Sequence, residues 1–322
     1  MTPSRRWKPG IALIAFAGAL WALIGLFTPA LLDLGLSAPE IAFWRALLAG
    51  MGFAAHAALR GQLRVASTRD AAGLVVFGVV AVGLFYLALS MAVALGGVSL
   101  AWILLYTGPA WVAVAAVVVL REHVDGFRRL LLLVTMAGVV LVSLGGGEGV
   151  RISLPSVAWG LAAGLSYASW YIGGKRFLPR YAPVTISAWT LLTGAVFLLP
   201  FAGLRNHSPR AWLLVLGLAA VSTYLPVLLY YTGLRTVDAS RAAIVATIEP
   251  VVALVIGAVV GGERLGLLAL VGGALVLAAT SLASAHPLRL RTWAHGLLRV
   301  TICNGRQPRK QVEHVQHLAD DD

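Results

Sequence analysis

Long apolar runs alternate with short polar connections along most of the chain. Because a helix needs about 20 apolar residues to cross a bilayer, these runs predict ten transmembrane helices. The predicted helices cover residues 10–32, 39–59, 71–94, 98–120, 127–145, 156–178, 184–203, 211–233, 239–262 and 266–285. A polar N-terminus, residues 1–9, and a basic tail, residues 286–322, stay outside the predicted membrane, and we expect the tail to be disordered.

The composition agrees with this pattern. Of the 322 residues, 59% are hydrophobic and 12% charged, whereas soluble domains carry about 25% charged residues. The predicted helices use nearly all the apolar residues, so the sequence excludes a separate soluble enzyme domain. The one cysteine, Cys303, excludes a disulfide within the chain.

The net charge of +12 is a topology signal rather than a sign of nucleic-acid binding. Twenty of the Lys and Arg residues fall on the N-terminal side of the predicted membrane and four on the other side, while Arg45 lies inside a helix. The four are Arg151, Arg205, Arg210 and Arg264. Because cytoplasmic loops retain positive charge, both termini are predicted to be cytoplasmic, in a bacterial-type inner (plasma) membrane, with no nucleic-acid partner.

Two stretches of the sequence repeat at nearly constant spacing. Ala38-Pro39, Leu47-Leu48, Gly50 and Phe53 recur 144 residues later as Ala182-Pro183, Leu191-Leu192, Gly194 and Phe197. Ser99, Ala101, Pro109 and Glu122 recur 141 residues later as Ser240, Ala242, Pro250 and Glu263. Each repeat would hold five helices, an odd number, so the second must cross the membrane in the opposite sense. The repeats are predicted at 10–145 and 156–285, joined by an outer linker at 146–155.

The repeated motif resembles one transporter family. Each copy is a small-residue run that leads to a proline, an apolar stretch and a glutamate. The copies run from Ser99 through Pro109 to Glu122, and from Ser240 through Glu249-Pro250 to Glu263. Over residues 10–285 the chain resembles the drug/metabolite transporter superfamily, in its ten-helix branch with paired EamA-type domains. The resemblance implies alternating access and export of amino acids or related metabolites, in a superfamily that also carries sugars, nucleotide sugars, cations and drugs.

Residues shared by both repeats are interpreted as scaffold. Pro109 and Pro250 each free a carbonyl inside the membrane, which is typical either of a hinge beside a binding site or of a packed kink. Glu122 and Glu263 lie at helix ends, where anchoring of a loop is favoured over a role in proton transfer.

Glu249 breaks the symmetry, because its counterpart is Gly108. It lies near the middle of a predicted helix, where an ionisable group costs at least about 2.5 kcal/mol unless it faces a cavity or a partner. This position predicts a group that binds a substrate amine or a coupling proton. The alternative is a protonated carboxyl group hydrogen-bonded within the bundle.

Arg45 is the second asymmetric charge, and its counterpart is Trp189. It lies about six residues into its helix, roughly 9 Å deep at 1.5 Å per residue. Its side chain can reach a substrate carboxylate, or it can extend back to the membrane surface as an anchor.

Aromatic side chains near the predicted midplane complete the candidate site. A tyrosine hydroxyl in hydrocarbon requires a partner, so several of them indicate a cavity with apolar walls and a few polar groups. The predicted lining consists of Trp21, Tyr106, Tyr167 and Tyr224 near the midplane, of Trp102 one turn before Tyr106, and of Tyr86, which forms a polar pair with Ser90. For any single one of them, helix packing is the favoured role, so the prediction concerns the group.

The sequence therefore predicts an all-α polytopic membrane protein, with ten transmembrane helices in two inverted five-helix repeats. Its predicted function is the export of amino acids with apolar or aromatic side chains, or of related compounds, as a monomer. We expect no cofactor, metal or catalytic residue, and a coupling proton as one option. The alternatives are a carrier of lipophilic cations, drugs or other metabolites, a sensor or scaffold, a membrane-embedded enzyme and an ion channel.

Overall fold

Helices joined by short connections account for the described part of the chain. The structure is a computed structural model that describes residues 9–122, 124–145, 153–260 and 266–285. Its helices are α1 (Pro9–Ala22), α2 (Ile24–Asp33), α3 (Ala38–Leu59), α4 (Thr68–Gly78), α5 (Phe85–Gly96), α6 (Val98–Leu105), α7 (Gly108–Leu120), α8 (Gly126–Gly145), α9 (Leu154–Phe177), α10 (Pro183–Leu198), α11 (Pro209–Ala219), α12 (Leu225–Leu234), α13 (Ala239–Ala246), α14 (Ile248–Val260) and α15 (Leu267–Ala285).

Six helical stretches among these residues are long and apolar enough to cross a membrane. They are Pro9–Asp33, Ala38–Leu59, Thr68–Gly96, Leu100–Leu120, Pro183–Phe201 and Pro209–Leu234. The all-helical prediction is confirmed, while the number of ten spans and the inverted repeat stay predictions. Most of the N-terminal segment, most of the predicted linker, Glu263 and the basic tail lie outside the described residues.

Serine caps set where four of the helices begin. The hydroxyls of Ser37, Ser67, Ser153 and Ser208 each accept a hydrogen bond of 3.1–3.3 Å from the backbone N–H three residues later. These bonds satisfy N–H groups that have no partner within the helix. They fix the starts of α3, α4, α9 and α11.

Two pairs of consecutive helices are joined without a loop by a π-helical turn. One turn, Val79–Leu84, joins α4 to α5, and the other, Ala220–Tyr224, joins α11 to α12. They begin 141 residues apart, the same spacing that separates Pro109 from Pro250 in the sequence. A π turn shifts the register of the side chains that follow it and is frequent at functional sites.

Two further pairs of consecutive helices, α6 with α7 and α13 with α14, are separated by a break just before a proline. Helix α6 ends at Leu105 and α7 begins at Gly108, one residue before Pro109. Likewise α13 ends at Ala246 and α14 begins at Ile248, two residues before Pro250. Since proline has no N–H, the carbonyls four residues earlier lose their helical partners.

A glycine from another helix lies against each freed carbonyl. A methyl group on Gly164 of α9 would come within 3.2 Å of the freed Leu105 oxygen. It would also meet the Thr107 hydroxyl at 2.7 Å and the Leu104 oxygen, to which that hydroxyl donates, at 2.8 Å. A methyl group on Gly18 of α1 would come within 2.9 Å of the Ala246 oxygen. The glycines therefore let a neighbouring helix cover polar backbone that hydrocarbon would not tolerate.

One end of the bundle, here called the basic face, is formed by the connections 60–67, 178–182 and 235–238 together with residues 121–122 and 124–125. Across it, the Glu122 carboxylate accepts hydrogen bonds from the Ala239 N–H at 2.9 Å, and from the Ser240 N–H at 3.4 Å and hydroxyl at 3.2 Å. Glu122 thus caps the start of α13, at the positive end of the helix dipole.

Further polar contacts connect helices and loops at the basic face. Lys175 Nζ donates to the carbonyl oxygens of Leu234 at 2.8 Å and Val237 at 2.6 Å, and Arg128 pairs with Asp238 at 3.0 Å. At the opposite end of the bundle, buried Glu40 pairs with His207 at 2.7 Å. Both ends are therefore tied by contacts between residues far apart in the sequence.

Replacing Gly164 by alanine should destabilise the protein by about 1–3 kcal/mol, because the new methyl group would lie 2.7 Å from the Thr107 hydroxyl and 2.8 Å from the Leu104 oxygen, too close without a shift of the backbone. The matched control is Gly25→Ala in α2, where nothing lies within 4 Å of the added methyl group. Thermal unfolding of both variants in detergent gives the comparison. Equal melting temperatures for the two would contradict this account of helix packing.

Candidate functional site

Arg45 of α3 points into the bundle, with 7% of its surface exposed. Its Nε donates to the hydroxyl of Thr223 at 3.2 Å, and that hydroxyl donates to the Leu218 carbonyl at 3.1 Å. The guanidinium carbon lies 4.8 Å from the centre of the Tyr86 ring. A cation over an aromatic face is stabilised by about 0.5–2 kcal/mol. The side chain is thus held toward the interior.

The π turn between α11 and α12 makes this arrangement possible. Thr223 lies in that turn, and its bond to Leu218 spans five residues, the π-helical spacing. Without the inserted residue, the Thr223 side chain would rotate by about 100°, one residue's share of a helical turn. Its hydroxyl would then no longer meet Arg45.

Glu249 is the second residue of α14, directly after the break in the helix and before Pro250. Its side chain is partly accessible, and within the described residues none donates a hydrogen bond to its carboxylate or forms an ion pair with it. The positive end of the α14 dipole favours negative charge there. The carboxylate interacts electrostatically with Arg45 and with the hydroxyls of Tyr86, Tyr106 and Tyr167.

Most of the predicted site residues come together. Tyr106 stacks on Trp102 with ring centres 5.8 Å apart, and Tyr167 packs against Phe85 at 5.7 Å, next to Tyr86. We call this group the central cluster: Arg45, Tyr86, Trp102, Tyr106, Tyr167 and Glu249. Its members come from α3, α5, α6, α9 and α14, with Tyr106 in the break between α6 and α7.

Two predicted lining residues lie away from the cluster. The Tyr224 hydroxyl pairs with His56 Nδ1, and its ring packs on Phe53 at 4.2 Å, toward the basic face. Trp21 packs on Tyr230 at 5.5 Å. The prediction placed both residues by depth along the helix, and depth alone does not specify which way a side chain points.

The asymmetry between Gly108 and Glu249 has a structural counterpart. A methyl group on Gly108 would lie 2.7 Å from Cδ1 of Tyr167. Because Gly108 has no side chain, the Tyr167 ring reaches the cluster at this position. In the second repeat the equivalent position instead supplies the acid.

Three residues around the cluster were not predicted from the sequence. Thr223 holds Arg45, although 178 residues separate the two. The Tyr171 hydroxyl bonds to that of Tyr167 at 2.7 Å, and Tyr230 packs on Tyr171 with ring centres 5.4 Å apart. Only the spacing of four between Tyr167 and Tyr171, which places both on one helix face, was visible in the sequence.

The cluster combines one cation, one acid and several hydroxyls within aromatic walls. This composition is typical of a site for a small organic molecule, in which apolar contacts supply affinity and a few polar groups set orientation. No group of three or more His, Cys, Asp or Glu residues close enough to hold a metal ion occurs among the residues described.

Comparison with known proteins agrees with the helical architecture. Residues 8–144 and 154–285 each match the model of a family described as the EamA-like transporter family. An uncharacterized transporter of Archaeoglobus fulgidus is 31% identical over 67% of this chain and 76% of its own. The uncharacterized transporter YdfC of Bacillus subtilis is 24% identical over 76% of this chain and 80% of its own.

A crystal structure of another protein superposes on 86% of this chain and 99% of its own, with a TM-score of 0.75. The sequence identity is 16%, so this likeness concerns the fold alone.

Proposed function

Because the chain belongs to the EamA-like transporter family, as a multi-pass membrane transporter, we propose that it exports small metabolites, in particular amino acids with apolar or aromatic side chains. Transport would proceed by alternating access between two inverted five-helix halves. The two separate matches to the family model and the interruptions spaced 141 residues apart support this arrangement. The excess of Lys and Arg on one side supports cytoplasmic termini in the plasma membrane.

The proposal of an amino acid substrate rests on the arrangement of Arg45 and Glu249. Their charges interact, yet no direct ion pair joins these two described residues. A zwitterion between them would place its carboxylate on the guanidinium and its amine on the Glu249 carboxylate. Trp102 and Tyr106 would then receive the apolar side chain, since stacked aromatic rings bind such groups well.

Glu249 would also couple transport to protons. A carboxylate that binds a substrate amine must be deprotonated, whereas a protonated carboxyl group has no charge to offer that amine. Proton and substrate would therefore exclude each other at one group. An inward proton gradient could then drive export by exchange.

The first test is transport into proteoliposomes with a panel of labelled amino acids. We expect uptake of amino acids with apolar or aromatic side chains, because the cluster offers both charges within aromatic walls. Uptake of lipophilic cations together with no uptake of any amino acid would overturn the substrate assignment. Absence of any flux would favour a sensor or scaffold, and currents far above carrier turnover would favour a channel.

Replacing Glu249 by glutamine should abolish transport, or remove its pH dependence, while the protein remains folded. The amide keeps the shape of the side chain but neither titrates nor attracts an amine. Glu40→Gln is a matched control, since Glu40 lies at the opposite end of the bundle, bonded to His207. Transport by the Glu249 variant that equals the wild type at every pH would remove Glu249 from the mechanism.

Replacing Arg45 by glutamine should weaken binding of an amino acid about 10- to 100-fold, because a hydrogen bond to a charged group contributes about 1.5–3 kcal/mol. Binding of the corresponding amine without a carboxylate should change little. Competition assays with phenylalanine and phenethylamine give the two affinities. If both ligands lose affinity equally, Arg45 does not bind the substrate carboxylate.

A further inference from the structure

Buried tyrosines connect the central cluster with the basic face. Tyr167 and Tyr171 lie on one face of α9, and Lys175 follows one turn later, where α9 reaches the basic face. Tyr230 of α12 packs on Tyr171, and its ring centre is 5.1 Å from that of Tyr231. We call Tyr167, Tyr171, Tyr230 and Tyr231 the tyrosine column.

The column has an acidic residue at each end, Glu249 and Glu122, and each interacts electrostatically with the tyrosines nearest to it. At the end of the column beside the central cluster, the Glu249 carboxylate interacts electrostatically with the hydroxyls of Tyr167 and Tyr171. At the end beside the basic face, the Glu122 carboxylate interacts electrostatically with the hydroxyl of Tyr230. The column therefore links the acid in the central cluster with the acid that caps α13 at the basic face.

Two hydroxyls of the column have unused hydrogen-bonding capacity. Tyr230 and Tyr231 are 1% and 0% exposed, and neither hydroxyl has a hydrogen-bond partner in the part of the chain that the structure describes. A buried polar group without a partner costs about 1–3 kcal/mol, and phenylalanine would fill the same space without that penalty. Such groups are typical positions for bridging water molecules.

Glycine residues leave space for aromatic rings in and beside the column. Gly173 and Gly174 directly precede Lys175 in the sequence. Gly174 lies against the Tyr231 ring and Gly173 against the Phe77 ring, so a side chain at either position would collide with the ring. Trp170 of α9 also packs on Tyr231, with ring centres 5.7 Å apart.

The ionisable groups around the column come from the cluster, the basic face and α13, which packs against α9. They include Glu249, with Arg45 and Tyr106 beside it, Glu122, Lys175 and Asp238, and the buried Arg241 of α13, on which Asp238 acts. The Lys175 charge is offset by Glu122 and Asp238, both of which act on it. Helices α1 and α10, which also pack against α12, contain no ionisable side chain.

We propose that the tyrosine column, bridged by water, conducts the coupling proton between the basic face and Glu249. A hydroxyl accepts a proton on one lone pair and releases its own to the next acceptor, so each tyrosine ends neutral and unchanged. In the direction of the proposed exchange, the net change is one Glu249 carboxylic acid converted to a carboxylate and one proton released to water at the basic face, and a drop in pH at that face drives the same path in reverse. This inference rests on the proposed proton coupling at Glu249.

The experiment follows the protonation of Glu249 directly and needs no substrate. Full-length protein is oriented in proteoliposomes with the basic face outward, and the external pH is lowered rapidly. Time-resolved infrared spectroscopy records the carboxylic acid C=O band that the Glu249→Gln variant lacks. Tyr230→Phe and Tyr171→Phe should lower the rate at which this band appears by at least about tenfold, since a positioned proton-transfer group contributes about 10²- to 10⁴-fold to a rate.

The matched control is Tyr181→Phe, which removes a hydroxyl outside the column. Tyr181 lies in the connection after α9, where its hydrogen bond to Asp70, 2.7 Å long, raises the pKa of Tyr181. The control should protonate Glu249 at the wild-type rate. The melting temperature of Tyr230→Phe should stay close to that of the wild type, because no hydrogen bond to another described protein group is lost.

Wild-type rates in both Tyr230→Phe and Tyr171→Phe would overturn the column while leaving Glu249 as the proton-binding group. A different result, in which the wild type shows no Glu249 band after any pH jump, would reject the proton role of Glu249 and the column with it. The two failures are therefore distinguishable in one set of spectra.

Discussion

A backbone carbonyl that loses its helical donor inside a bilayer must be covered by protein, and much of this structure follows from that requirement. The helices are broken before Pro109 and Pro250, and these breaks free backbone carbonyl oxygens. Gly164 and Gly18 bring α9 and α1 close enough to cover them. These close approaches fix how the first helix of each predicted repeat crosses the broken helix of the other, and they position the site beside the breaks.

The breaks also determine where a charge is tolerated. Glu249 lies at the start of α14, where N–H groups without helical partners and the helix dipole offset part of the free energy of burying a carboxylate. Arg45 is held by the Thr223 hydroxyl and the Tyr86 ring. Each charge is stabilised by its own surroundings rather than by a direct pair, which leaves both available to a third molecule.

The sequence predicted the helices well and the site in part, for physical reasons. Hydrophobic runs and prolines are local signals, so the ends of α3 and α9 lie close to their predicted positions. Glu249 and Arg45 were recognisable because an unexplained charge in hydrocarbon is costly. The direction in which a side chain points depends instead on helix rotation. Tyr224 was therefore assigned to the cavity, while its hydroxyl pairs with His56. Thr223 was missed because only the π turn brings it to Arg45.

A scaffold with two similar halves offers equivalent positions in pairs, and a single asymmetric substrate requires that one pair differ. At the equivalent positions 108 and 249, the first half has a glycine and the second a glutamate. The glycine is not simply a missing acid, because its lack of a side chain admits the Tyr167 ring, which then lies within the field of Glu249. The substitution in one half thus creates the space in which the acid of the other half meets a hydroxyl. A second acid at position 108 would displace this ring and place two like charges in one apolar enclosure, where their repulsion is weakly screened. The asymmetry therefore gives the cluster one acid, which under the proposed mechanism a proton and a substrate amine would bind in turn.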